Sequence, residues 1–89
     1  MPAVMFTRHL RAVAPSEPVQ CTGATLGAAL DDALKQHERL RGYVLDEQGR
    51  VRHHVAIFLD SEHLTGKDIL KTPVRPDSEI YVMQALSGG

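Results

Sequence analysis

The sequence predicts an α+β domain in which one main helix lies across one face of a mixed sheet. Three observations carry that expectation. Leu26, Ala29, Leu30, Ala33 and Leu34 recur at three- and four-residue spacing, which places them on one helix face. Segments of two-residue alternation flank that stripe on both sides, around Val4–Thr7, Val55–Leu59 and Ile80–Met83. Phe6, Tyr43, Phe58 and Tyr81 are the only aromatic residues in the 89-residue chain, so aliphatic side chains must build the core, and one helix on one sheet satisfies both apolar faces.

Taken in order, Ala3 to Leu10 reads as a first strand. Ala14-Pro15-Ser16-Glu17-Pro18 has turn composition, and Val19 to Thr22 returns as a short second strand. Thr25 is the expected N-cap of the helix, because its hydroxyl can accept from an otherwise unpaired backbone amide. The helix is expected to end near His37 or Glu38, with Gly42 as its stop signal. Asp46-Glu47-Gln48-Gly49 reads as a turn, and Arg50 to Leu59 as the longest strand. In that strand Val55, Ile57 and Leu59 share one face, and His54, Ala56 and Phe58 the other. Asp60-Ser61-Glu62 turns the chain, and His63-Leu64 form a short bridge. Thr65 to Asp68 is loop, and Ile69-Leu70 pack from a connecting segment. Pro73 and Pro76 exclude regular helix, and Pro76 to Glu79 is a tight turn. Ile80 to Gln84 is the last strand, with Ile80 and Val82 inward and Tyr81 and Met83 outward.

Composition removes several function classes. Ten basic residues against eleven acidic ones leave a formal net charge of -1, so there is no electrostatic reason to expect nucleic acid or an anionic membrane. No apolar run reaches transmembrane length, and Thr7, Arg8, His9 and Arg11 interrupt any signal-peptide pattern, so a cytoplasmic location is expected. Cys21 stands alone, which suits a small packing residue. No metal site is expected. His53 and His54 would point to opposite faces of a strand, and His9, His37 and His63 fall in separate elements. Ser16, Ser61, Ser78 and Ser87 lack the context of a hydrolase nucleophile. The basic run Arg50-Val51-Arg52-His53-His54 reads as a solvated strand start, with contact to an acidic partner as the other reading.

The chemistry is expected at the tail, Ala85-Leu86-Ser87-Gly88-Gly89. Two glycines carry no side chains and accept almost any backbone angle. Five extended residues reach roughly 17 Å, enough to carry a terminal carboxylate into another protein's active site through a narrow channel.

Three segments carry a family resemblance: Gly23 to Leu30, Leu45 to Val55, and Thr72 to Ile80 with the Ala85–Gly89 end. Over nearly the whole chain the sequence resembles the ubiquitin-like sulfur carrier proteins. These include the small subunit of molybdopterin synthase, the thiamine-pathway carrier and the carrier of cysteine synthesis. The resemblance implies a β-grasp fold, with the domain over 1–84 and a flexible, extended tail over 85–89. It further implies that a partner similar to ubiquitin-activating enzymes transfers AMP from ATP to the Gly89 carboxylate. A sulfur donor then converts the adenylate to a thiocarboxylate, and an accepting synthase takes the sulfur. On this reading Gly89 carries the chemistry, Gly88 lets the tail extend, and Ala85, Leu86 and Ser87 line the partner's channel. The chain binds no cofactor and is a co-substrate, not an enzyme. Phe58, Tyr81 and Met83 are expected to dock the partner from the sheet face away from the helix. Two departures stand out: Asp60-Ser61 where many relatives have Asn-Gly, and Gln84-Ala85 where relatives often carry Pro. Two rivals remain open. One is a ubiquitin-like modifier joined to lysines through Gly89, and the other is a plain interaction domain. The biosynthetic pathway is not readable.

Overall fold

The computed structural model describes residues 1–6, 17–66 and 68–84. Five strands form one sheet: β1 (Ala3–Phe6), β2 (Val19–Gln20), β3 (Val55–Leu59), β4 (Glu62–Leu64) and β5 (Glu79–Gln84). Their spatial order is β2-β1-β5-β3-β4. The sheet is mixed: β1 and β5 are parallel, while β1–β2, β3–β5 and β3–β4 are antiparallel. The last strand is therefore the middle one. Val4, Val55, Ile57, Leu59, Ile80 and Val82 are buried on its helix side and neighbouring strands, as the two-residue alternation requires.

The main helix, α1 (Leu26–Gln36), buries Leu26, Ala29, Leu30, Ala33 and Leu34, the five residues of the predicted stripe. Fully burying one such leucine is worth about 1.5–3 kcal/mol. Thr25 caps it as expected, its Oγ1 accepting from the Ala28 amide at 3.2 Å. The start of the helix is also tied to the segment before β5. Leu26 N–H donates to the Thr72 carbonyl at 2.8 Å, and Val74 N–H donates to the Ala24 carbonyl at 3.0 Å. A 3-10 turn, Ile69–Lys71, lies against α1 at Gly27, where an added Cβ would stand 3.1 Å from the Leu70 carbonyl oxygen.

Three sequence expectations need correction. Gly42 does not stop the helical region. After the His37 break a second helix, α2 (Glu38–Val44), runs straight through it. Leu40 and Val44, four residues apart, are buried and hold α2 to the core, whereas Gly42 faces open space, where its cost is only the ~1 kcal/mol of glycine propensity. The long strand starts at Val55 instead of Arg50. Arg52 is occupied in closing α2: its backbone N–H donates to the Val44 carbonyl at 2.9 Å and its Nε to the Gly42 carbonyl at 2.8 Å. Val55 N–H then donates to the Arg52 carbonyl, making a turn of residues that cannot also be strand. Finally, Glu62 belongs to β4 and not to the preceding turn. The continuation of β1 to Leu10 lies outside the described residues, as do Ala14, Pro15 and Ser16 of the first turn.

Candidate functional site: the end of the last strand and its outer face

β5 delivers the chain to one end of the sheet, where Gln84 pairs with Val55 at the start of β3. The expected site residues Ala85, Leu86, Ser87, Gly88 and Gly89 follow directly and lie outside the described residues. What the structure describes is their base. Its inner side is fixed by Ile80 and Val82, both fully buried. On its flanks, β1 pairs from Ala3 to Phe6 and β3 from Val55 to Leu59. Among the described residues the strand is bonded on both edges up to Val82, and β3 alone accompanies it from there to Gln84.

The face of the sheet away from α1 collects the three expected docking residues. Phe58 stands opposite Tyr81, and Ala56 opposite Met83. The row extends further than sequence reasoning found. Met5 of β1 pairs with Tyr81, and His63 of β4 pairs with Phe58. Met5, Tyr81, Phe58 and His63 therefore cross four adjacent strands. The Phe58 and His63 rings stack at 4.7 Å between centroids, inclined by 20°. Met5, Ala56, Phe58, Tyr81 and Met83 are all half-buried, and His63 is exposed. Only strand pairing joins these residues, and pairing is not visible in one sequence.

Beside the departure point lies an open groove of about 810 Å³. Arg50, Arg52, His53, His54, Leu64 and Leu70 are among its walls. Asp46 shapes the loop that leads into it. Its Oδ1 accepts from the Gln48 and Arg50 amides at 2.9 and 3.0 Å, and Oδ2 lies 3.4 Å from Arg50 Nε. The Arg50 amide above all, then the Gln48 amide and the Arg50 charge, hold the Asp46 carboxyl below its ordinary range. His53 and His54 sit in a turn, so the expectation that they face opposite sides of a strand does not apply. Their rings lie edge-on at 5.8 Å. Among the described residues no three His, Cys, Asp or Glu side chains converge as a metal site.

Two other titrating groups are structural. Burial, followed by the Asp32 charge, raises the Cys21 thiol, whose Sγ lies 3.4 Å from the Pro2 carbonyl. A thiol pushed up is a poor nucleophile near neutrality. Asp31 is held low, first by its hydrogen bond from Arg41 at 3.0 Å and then by Lys35. Ser78 is 2% exposed and buried in a turn, without the setting of a nucleophile. Among the described residues no helix is long and apolar enough to cross a membrane.

A β-grasp sheet with its last strand central and its helix on one face defines a ubiquitin-like protein. The profile of the ThiS family matches residues 4–89, and the chain belongs to that family of sulfur carriers. A comparison with curated proteins finds no match. Solved structures do match. A chain of the Amycolatopsis orientalis BexX/CysO complex is 21% identical, with 100% of each chain covered and a TM-score of 0.82. Mycobacterium tuberculosis CysO is 20% identical, with 97% of this chain and 100% of that chain covered and a TM-score of 0.82. Haloferax volcanii SAMP1 is 25% identical, covering 99% of this chain and 98% of that one at a TM-score of 0.80. The family and these folds place the chain among proteins of sulfur-carrier or ubiquitin-like role. Members of such families work in general with ubiquitin-activating-type enzymes and sulfur-accepting partners.

Proposed function

We propose that this protein is a sulfur carrier whose Gly89 carboxylate is adenylated by a partner enzyme at the expense of ATP and then converted to a thiocarboxylate. The observation that carries the reading is the match to the ThiS family across residues 4–89, which spans both the domain and the Gly88-Gly89 end. A free carboxylate resists attack because its negative charge repels nucleophiles. Transfer of AMP to one carboxylate oxygen releases pyrophosphate and supplies a good leaving group. A sulfide-level donor then displaces AMP, and the new sulfur is the nucleophile handed to an acceptor. On this reading the chain acts as a co-substrate in the cytoplasm, and the partner supplies the catalytic groups and the nucleotide site. Phe58, Tyr81 and Met83, with Met5 and His63, form its docking face.

The second reading, conjugation to lysine amines through the same adenylate, is favoured by the likeness to SAMP1, described as a small archaeal modifier protein. Intact mass after incubation with an activating enzyme, ATP and a sulfide source separates the two. A gain of ~16 Da at Gly89, reactive toward alkylating agents and distinct from oxidation of Met or Cys21, is expected for the carrier. Lysine-linked adducts in cells without that gain would establish the modifier instead. Removing Gly88-Gly89 should abolish either product while leaving the fold intact; full retention would sink both readings.

A further inference from the structure

The groove beside the end of β5 shares Ala56 and His63 with the outer face, but its other walls take no part in the docking face or the tail chemistry. Its walls are basic and apolar together. Arg50 and Arg52 contribute charge, His53, His54 and His63 contribute ring N–H donors, and Val51, Leu64, Ile69 and Leu70 are half-buried apolar surface. Asp46 is the one carboxylate on its walls among the described residues, and it is already engaged by the Gln48 and Arg50 amides.

Its position decides what it faces. Gln84 pairs with Val55, which lines the groove. Because β3 and β5 are antiparallel, β5 runs toward the end of the sheet at which Arg52, His53 and His54 lead into β3. Five residues after Gln84 reach only about 17 Å when fully extended. A protein that takes Gly88 and Gly89 into an active site must therefore press its rim against this end of the sheet, with the groove inside its footprint. We propose that the groove receives a segment of that protein in which acidic and apolar side chains are interleaved. The proposal rests on the reading that the tail is handed to a partner, whichever of its two fates follows. Opposite charge across the rim would speed encounter and set register, as charge complementarity does at interfaces generally. The apolar walls favour a peptide segment over phosphate, which has nothing to place against Leu64, Ile69 and Leu70.

The test uses the full-length ¹⁵N-labelled protein and a short peptide alternating Glu and Leu, followed by NMR. Amide shifts concentrated in Val51–Ala56 and His63–Leu70 are expected, with affinity falling about fivefold or more between 50 and 300 mM salt as screening sets in. Arg50→Glu should weaken binding about tenfold. It should leave the fold intact, since the Arg50 side chain is 70% exposed and Asp46 keeps its two backbone partners. His54→Glu adds a negative charge at a second wall position, outside the Asp46 hydrogen bonds. Equal binding of a Lys–Leu peptide, shifts confined to the outer face, or unchanged affinity in both variants would overturn the proposal. So would pyrophosphate displacing the Glu–Leu peptide from the same amides. None of these readouts depends on Gly89, so mass analysis of the tail stands or fails separately.

Discussion

The two ends of β5 are each shaped by an aspartate, and the two aspartates do different work. At the start of the strand, Asp60 reaches across 18 and 19 residues of sequence. Its Oδ2 accepts from the Ser78 hydroxyl at 3.1 Å, and its Oδ1 accepts from the Glu79 amide at 2.9 Å. Ser78 Oγ in turn accepts from the Arg75 amide at 2.8 Å. At the far end, the Asp46 side chain bonds only residues two and four places on. A non-local anchor ties two strands together and is lost only when the sheet opens. A local anchor shapes a loop that can open by itself, and such sub-global openings have lower free energies than unfolding. The molecule thus locks the start of β5 through a non-local anchor and leaves local control near its end, where the proposed tail chemistry lies.

Asp60→Ala tests the lock and carries the largest effect. It leaves the Glu79 amide and the buried Ser78 hydroxyl without their acceptor and puts alanine at φ +48°. The Asp60 side chain is 37% exposed, so water offsets part of the loss. A destabilisation of about 2 kcal/mol is expected, or roughly 8–16 °C in Tm by thermal unfolding for a domain of this size. A shift under a few degrees would show that the anchor contributes little and would remove the contrast between the ends.

Ser61→Gly sharpens the same comparison in the opposite direction. Asp60 and Ser61 have φ of +48° and +73°, the left-handed pair that a two-residue hairpin loop between β3 and β4 requires. This explains why Asn-Gly suits the position in relatives, and it makes Ser61 the strained member. Glycine there should stabilise the protein by about 0.5–1 kcal/mol, read as a rise in denaturation midpoint at unchanged slope. Loss of stability would mean that Ser61 makes a contact worth more than its strain.

How much of this was legible depends on the range of each interaction. The α1 stripe and the Thr25 cap are local patterns, and both stand where the sequence places them. The inward set Val55, Ile57, Leu59, Ile80 and Val82 follows from two-residue alternation and is likewise buried. The errors arose where a distant partner overrode a local signal. Arg52 reads as strand until its bonds to Val44 and Gly42 draw it into the cap of α2. Gly42 reads as a stop until Leu40 and Val44 hold the helix across it. For the candidate site, the outward positions of Phe58, Tyr81 and Met83 could be read from alternation. Met5 and His63 could not, because only strand pairing brings them into the row.

The smallest effect belongs to Asp46, and pH is the way to see it. Its carboxyl is held below the ordinary carboxylate range, chiefly by the Arg50 amide. A group depressed in the folded state stabilises above its unfolded pKa, and that contribution is lost as pH falls through the lower folded value. Order in the 46–54 loop should therefore be full at neutral pH and fade only in acid. Hydrogen exchange at the Gln48 and Arg50 amides, corrected for intrinsic rates, should show protection dropping on acidification while the β5 amides stay protected. Asp46→Asn should keep the amide acceptor but remove this titration, giving loop protection that no longer depends on pH. Should the β5 amides lose protection together with Gln48 and Arg50, the loop and the sheet open as one unit. The two aspartates would then differ in reach but not in consequence.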